Sequence, residues 1–303
     1  MRCIRPYMAP GRLAFPCGDC PSCRVNRRRI WMHRMMLETM MHEYSSFITL
    51  TYSDENLPHD MSLDPKTLKM WLDRLRKRFP PRAIRWFCVG EYGDKTLRPH
   101  YHAAIFGLKP CQSLHHVKGE CPCPSCSLVR ETWGFGHVMV GTLTVQSARY
   151  ITGYIAKKMT RPDDPRLMGR YPEFARMSLK PGIGANAVPD VASVMLQKKL
   201  FDRLQLDKGG DVPVALRHGS SELPLGRYLR RLLRAQVGLP ENAPAGVLEA
   251  LRQGLLPVYE TVEASFPHAK GELKRLLIAE EVRKSNEQYG RNTVARMKQK
   301  RKL

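Results

Sequence analysis

The stretch RPHYHAAIFG, Arg98–Gly107, is where the fold and the chemistry of this chain meet. Two histidines stand two residues apart in a run that otherwise suits a β-strand. Strand side chains alternate between faces, so His100, His102 and Ala104 point one way and Tyr101, Ala103 and Ile105 the other. The second set suits a core. The first presents two imidazoles about 7 Å apart along the chain. That spacing fits two ligands on one metal ion when a third comes from a neighbouring strand.

Working outward, IRWFCVGEYG (Ile84–Gly93) reads as the preceding strand and DKTL (Asp94–Leu97) as a turn, giving an antiparallel hairpin. Glu91 lies nine residues before His100, and the hairpin brings its carboxylate toward the start of the second strand. Alone, Glu91 reads as a surface carboxylate and either histidine as a packing residue. Together, Glu91, His100 and His102 form a mixed nitrogen and oxygen set that accepts Mg²⁺ or Mn²⁺ and leaves positions open to substrate oxygens.

Before the hairpin, residues 24–44 read as a helix whose methionines fill a core and whose arginines touch phosphate or face water. FITLTY (Phe47–Tyr52) is a short strand followed by the turn cluster SDENLP. The next helix carries an Asp64 cap, Pro65 at its first position and a stripe of Leu68, Leu72, Leu75 and Phe79. Its polar face holds Lys69, Arg76 and Lys77, a solvated face or a contact for the DNA backbone. After the hairpin come a Cys/His-rich excursion (108–133), a strand (Gly136–Thr144), a helix (Val145–Thr160) and a Pro/Gly-rich loop (161–190). The order β–α–β–β–insert–β–α predicts an α+β fold with a mainly antiparallel sheet and helices packed on one side. The predicted divisions are a domain over 1–185, a mainly helical region over 186–290 with GRYLRRLLRAQVG as its clearest segment, and a disordered basic tail over 291–303.

The net charge of +22, from 50 Lys+Arg against 28 Asp+Glu, implies a polyanionic partner, most simply nucleic acid. Residues 1–200 hold 31 of the basic and 16 of the acidic side chains, so the excess concentrates where the histidines are. Hydrophobic residues make up 43%, enough for a core. No apolar run approaches the ~20 residues that span a bilayer, and the N-terminus lacks the apolar segment of a secretory signal. A soluble, intracellular protein with no membrane partner is expected.

Six of the nine cysteines gather as Cys17-x2-Cys20-x2-Cys23 and Cys121-x-Cys123-x2-Cys126. In a reducing compartment such clusters favour structural zinc over disulfides, the other reading being surface thiols on turns. A fourth ligand could come from Cys3 or Cys111, or for the second group from His115 or His116.

In ARYITGYIAKK, Tyr150 and Tyr154 share a helix face. Lys157 joins that face and Lys158 flanks it, so the stripe ends in charge as a core stripe would not. A tyrosine has a pKa near 10. To attack a phosphate it needs a metal that polarises the phosphate and a lysine that stabilises negative charge.

Here a family comes into view. FITLTY resembles the first motif of the HUH endonucleases, the rolling-circle replication initiators. His100-Tyr101-His102 resembles their paired-histidine motif. Tyr150-x3-Tyr154-x2-Lys157 resembles the third motif in the two-tyrosine form of phiX-like phages. PCGDCPSCRVNRRRIW, GEYGDKTLRPHYHAAIFG and SLKPGIG are most similar to replication initiators of gokushoviruses, small single-stranded DNA phages of the Microviridae. The resemblance runs through residues 1–185, with a weaker echo at LPLGRYLRRLL. It implies that His100 and His102 bind a divalent metal at the scissile phosphate, with Glu91 as candidate third ligand. It further implies that a tyrosine becomes 5′-phosphotyrosine-linked, and that host polymerase extends the freed 3′-OH in the bacterial cytoplasm. No Walker motif GxxxxGK[ST] is present, so a host helicase is an implied partner. The competing readings are a non-catalytic, zinc-containing nucleic-acid-binding regulator, which leaves the tyrosine–lysine helix unexplained, and a transposase or relaxase of the same chemistry.

Overall fold

The computed structural model describes residues 2–79, 84–111, 113, 121–154, 162–198, 210–219 and 221–300, with side chains to 292. In chain order its first elements are β1 (Tyr7–Ala9), β2 (Leu13–Phe15), α1 (Pro21–Met40), β3 (Ser45–Tyr52) and α2 (Pro65–Arg78). Then follow β4 (Arg85–Tyr92), β5 (Pro99–Phe106), α3 (Pro124–Trp133), β6 (Gly136–Thr142), α4 (Val145–Tyr154) and β7 (Phe174–Met177). The chain forms two compact units, one of Met1–Arg27 with Pro189–Leu303, the other Arg28–Val188. Residues 1–27 therefore cluster with the C-terminal region rather than with the hairpin domain expected over 1–185.

In the unit Arg28–Val188 the strands make an antiparallel sheet in the order β6-β3-β5-β4-β7. The mixed α+β architecture expected from the sequence is borne out. β7 falls inside the stretch read as loop, because its four residues are too few to show a period between Pro- and Gly-rich flanks.

The helices cover both faces of the sheet, not one. On one face Ile48, Leu50, Tyr101, Ala103, Ile105 and Val140 form a single buried cluster with Leu68, Trp71, Leu72 and Leu75 of α2 and with Val129 and Trp133 of α3. The other face presents Phe47, Phe87 and Ala104, so it too needs apolar cover. There Trp31 of α1 packs on Phe87 at 5.3 Å, and Tyr150 of α4 packs edge-on to Phe47.

Local signals set the element ends. Asp64 caps α2 by accepting from the backbone N–H groups of Lys66 (2.8 Å) and Thr67 (3.1 Å), with Pro65 next in line. α1 begins at Pro21, three residues before the expected start. SLKPGIG docks on α1: the buried Glu38 carboxylate accepts from Gly184 N–H at 2.6 Å, and Arg34 donates to the Ile183 carbonyl at 2.8 Å. Gly184 sits at φ +80°, and a Cβ there would lie 2.8 Å from the Arg34 carbonyl oxygen, so only glycine fits.

In the other unit, Met8 of β1 packs with Val262, Ile278 and Val282. Its helices include Gly226–Gln236 and Gly271–Lys300. The latter continues through residues 291–300, where a disordered tail was expected. The stretch RNTVARMKQK has no glycine or proline and several strong helix formers, so an established helix propagates through it.

Asp211, 2% exposed, receives a two-pronged ion pair from Arg234 at 2.6 and 2.8 Å and a further contact from Arg230. Burial would raise the Asp211 carboxyl, but the two guanidinium groups outweigh it and hold it below 3.8. Asp211→Ala strands the buried Arg234 charge, and an unfolding titration should show a loss of about 3–5 kcal/mol. The depressed pKa fixes the sign with pH. This contribution is complete above about 3.8 and fades as pH falls through the lower folded value. An unchanged midpoint at neutral pH would contradict it.

Candidate active site

The β4–β5 hairpin closes through Gly93 N–H to the Arg98 carbonyl (3.0 Å) and Leu97 N–H to the Gly93 carbonyl (2.9 Å), with Leu97 left-handed at φ 52°. This turn sets Glu91 directly opposite His100, and His102 opposite Val89 on one side and Thr49 on the other. Directly paired residues share a sheet face, so Glu91, His100, His102 and Thr49 converge. One Glu91 carboxylate oxygen lies 2.6 Å from His100 Nε2 and 2.8 Å from His102 Nε2. The two imidazoles stand perpendicular with centroids 5.0 Å apart.

The far nitrogens are held as well. His100 Nδ1 lies 3.1 Å from the Arg98 carbonyl, a contact that holds the ring's orientation. His102 Nδ1 lies 3.0 Å from Thr49 Oγ1. Both Nε2 atoms are thereby turned toward Glu91, as outer hydrogen bonds orient imidazole ligands in metal sites. Glu91 and His102 are almost fully buried. Burial would raise the Glu91 carboxyl, but hydrogen bonds from His100 and His102 outweigh it and bring it down to about 2. The site thus keeps a buried negative charge facing two nitrogen donors. All three donor atoms lie within 4.8 Å of one another, a set that fits a divalent cation.

α4 lies over this face. Thr144 Oγ1 accepts from Ser147 N–H at 3.2 Å while Ser147 Oγ accepts from Thr144 N–H at 2.7 Å, a reciprocal cap that starts the helix. Ala148, Ile151 and Thr152 are buried, which turns Tyr150 and Tyr154 toward the histidines. The Tyr150 hydroxyl is 3.5 Å from His102 Nε2, and the ring is 47% exposed. Tyr154 lies nearly parallel to the His102 ring, 14° apart at 5.8 Å, and edge-on to Tyr150 at 5.1 Å. Burial, the hydrogen bond with Tyr150 and the Glu91 charge all push the Tyr154 phenol well above its ordinary value. Lys157 and Lys158 lie outside the described residues.

Sequence reasoning missed the supports. Phe47 stacks on His102 at 5.6 Å and 12°. Arg28 donates to the Arg149 carbonyl at 2.9 and 3.2 Å, and its guanidinium lies against Gly153, so α1 braces α4 between the tyrosines. The alternation of FITLTY puts Phe47, Thr49 and Thr51 on one face, and that signal could have found Thr49 once β3 was paired with β5. Thr49→Val keeps the shape and removes the hydrogen bond to His102. It should raise the metal concentration for half-maximal activity by roughly 10–100-fold. An unchanged metal requirement would mean that Thr49 does not orient the ring.

The structure does not bring the α2 cations to this site. α2 packs on the opposite sheet face. There Lys69 and Arg76 both reach Asp73, at 3.2 and 3.6 Å, while Lys77 is exposed. The cysteines form two further groups. Cys3 joins Cys17, Cys20 and Cys23, and Cys111 joins Cys121, Cys123 and Cys126. Neither group includes a residue of the histidine site.

The segment that builds the site has known relatives. Residues 45–159 match the family model for replication-associated proteins of the ORF2 and gene 2 protein type. That span contains Glu91, both histidines, both tyrosines and both lysines. The chain is 35% identical over 190 residues to replication-associated protein VP4 of Bdellovibrio phage phiMH2K, covering 54% of this chain and 60% of the relative. It is 35% identical over 181 residues to replication-associated protein ORF2 of Spiroplasma virus 4, covering 56% and 55%. It is 27% identical over 264 residues to replication-associated protein ORF4 of Chlamydia phage 1, covering 84% and 62%. The chain thus spans about three fifths of the length of the relatives it matches. The resemblance to replication proteins of small phages is borne out. No solved structure matches. Among the described residues, no helix is long and apolar enough to cross a membrane.

Proposed function

We propose that this chain nicks and rejoins single-stranded DNA at a phage origin to start rolling-circle replication, as an HUH-type endonuclease with a tyrosine nucleophile. The observation that carries the reading is the Tyr150 hydroxyl 3.5 Å from His102 Nε2, beside the Glu91–His100–His102 set on the sheet. Glu91, His100 and His102 would hold Mg²⁺ or Mn²⁺, which when bound draws negative charge from the scissile phosphate. Thr49 and the Arg98 carbonyl keep the imidazoles aimed.

A tyrosine oxygen attacks the phosphorus. The new O–P bond links the 5′ side of the DNA to the protein, the P–O3′ bond breaks, and the phenol proton ends on the departing 3′ oxygen. The freed 3′-OH serves host polymerase as primer, and a host helicase opens the duplex. Because phosphodiester energy is kept in the tyrosine ester, a second exchange closes the circle without ATP. Two tyrosines side by side allow cleavage and rejoining to alternate. Lys157 would stabilise the phenolate or position the phosphate, and Lys158 would contact DNA. Lys69, Arg76 and Lys77, on the far face of the sheet, would meet only DNA away from the reacting phosphate. The net charge of +22 supports a nucleic-acid substrate, and the bacterial cytoplasm is where the reaction would run.

The test is cleavage of origin-bearing single-stranded phage DNA with Mg²⁺ or Mn²⁺. Expected are a 3′ end that a polymerase extends and loss of cleavage on chelation. Cleavage that persists in chelator, or a product with a free 5′ end, contradicts the proposal.

A further inference from the structure

Neither cysteine group shares a residue with the proposed strand-transfer site. We infer that the chain holds two closed, four-thiolate zinc sites. One is Cys3, Cys17, Cys20 and Cys23; the other is Cys111, Cys121, Cys123 and Cys126. In each group all four sulfurs lie within 4.8 Å of one another. A zinc ion with Zn–S bonds of ~2.3 Å at tetrahedral angles sets its sulfurs about 3.8 Å apart. Cys3 and Cys20 are 3.8 Å apart, and Cys111 and Cys121 are 3.6 Å apart. Disulfides would instead draw the sulfurs together in pairs at about 2.05 Å, and all nine cysteines are free.

The surroundings suit thiolates. Cys17 N–H points at Cys3 Sγ and Cys20 N–H at Cys17 Sγ, both at 3.3 Å, and Cys126 N–H points at Cys123 Sγ at 3.4 Å. An all-sulfur, four-membered set selects zinc over the hard cations. It also fills the tetrahedron, so no position is left for water or substrate and the role is structural.

Each site lies where a segment joins the rest of its unit. In the first, Asn286 donates to the Cys3 carbonyl at 2.8 Å and Arg2 sits over the Tyr289 ring at 4.3 Å, which ties the first residues to the helix Gly271–Lys300. In the second, Cys123 caps α3, and Cys111, Cys121 and Cys126 enter the same core as Val129 and Trp133. Trp133 then donates from its indole to the Thr51 carbonyl of β3 at 3.2 Å. The metal would thus fix where α3 starts and hold it on the sheet. The odd cysteine count is resolved as well: Cys88, wholly buried in the sheet, is the ninth.

Elemental analysis of the purified full chain tests this. About two zinc per chain are expected, with Cys3→Ser and Cys111→Ser each lowering the count to about one. His100→Ala with His102→Ala should keep both, which separates these sites from the catalytic one. Should a serine variant not fold, titration of the wild-type protein with an organomercurial should release about two zinc as eight thiols react. Folded protein without zinc, iron with labile sulfide in place of zinc, or an unchanged zinc count in both serine variants would overturn the inference.

Discussion

His100→Ala or His102→Ala is expected to lower cleavage of origin single-stranded DNA by at least about a thousandfold, corresponding to several kcal/mol of lost transition-state stabilisation. Each variant removes one of the two nitrogen donors of the set and takes that histidine from beside the buried Glu91 carboxylate. DNA affinity should stay within a few-fold, because binding of a polyanion rests mostly on phosphate electrostatics. Filter binding and a nicking assay on the same preparations separate the two effects. Normal cleavage by the double histidine variant would remove the metal site from the mechanism. A parallel loss of binding and cleavage would point instead to a folding defect at the hairpin, which circular dichroism would register.

The second large effect concerns the tyrosines. Tyr→Phe keeps the ring contacts with His102 and Phe47 and removes only the hydroxyl. Tyr150→Phe and Tyr154→Phe should each retain single-turnover adduct. Both should fail in repeated cleavage and circle closure, where the second hydroxyl must attack the first phosphotyrosine. The double variant should form no adduct, a loss of at least about a thousandfold. If one single variant completes full rounds like the wild type, that tyrosine is a packing residue.

Much of this site was legible in the sequence because it is local. Strand alternation put His100 and His102 on one face, and a short turn fixed Glu91 across from them. Helix spacing placed Tyr150 and Tyr154 together. What was not legible depends on long-range packing. Nothing in the period of α2 tells which sheet face receives its apolar stripe, so Lys69, Arg76 and Lys77 turned out to lie away from the histidines. Thr49 and Phe47 became visible as supports only once β3 was paired with β5. The grouping of residues 1–27 with the C-terminal region rests on contacts such as Cys3 with Asn286, nearly the whole chain apart in sequence. Cys3 and Cys111 were options among several fourth ligands; among the described residues each lies with its cluster, while His115 and His116 lie outside them.

The central claim is that a tyrosine of α4 attacks DNA at the Glu91–His100–His102 site. Its most direct test is to incubate the wild-type chain with origin single-stranded DNA and Mg²⁺ or Mn²⁺. The denatured mixture is then digested, and the peptide that carries the nucleotide is sequenced by mass spectrometry. The account predicts a denaturation-resistant adduct with the 5′ phosphate on Tyr150, on Tyr154, or on each in part of the population. DNA attached to any other residue, or cleavage without an adduct, would contradict it.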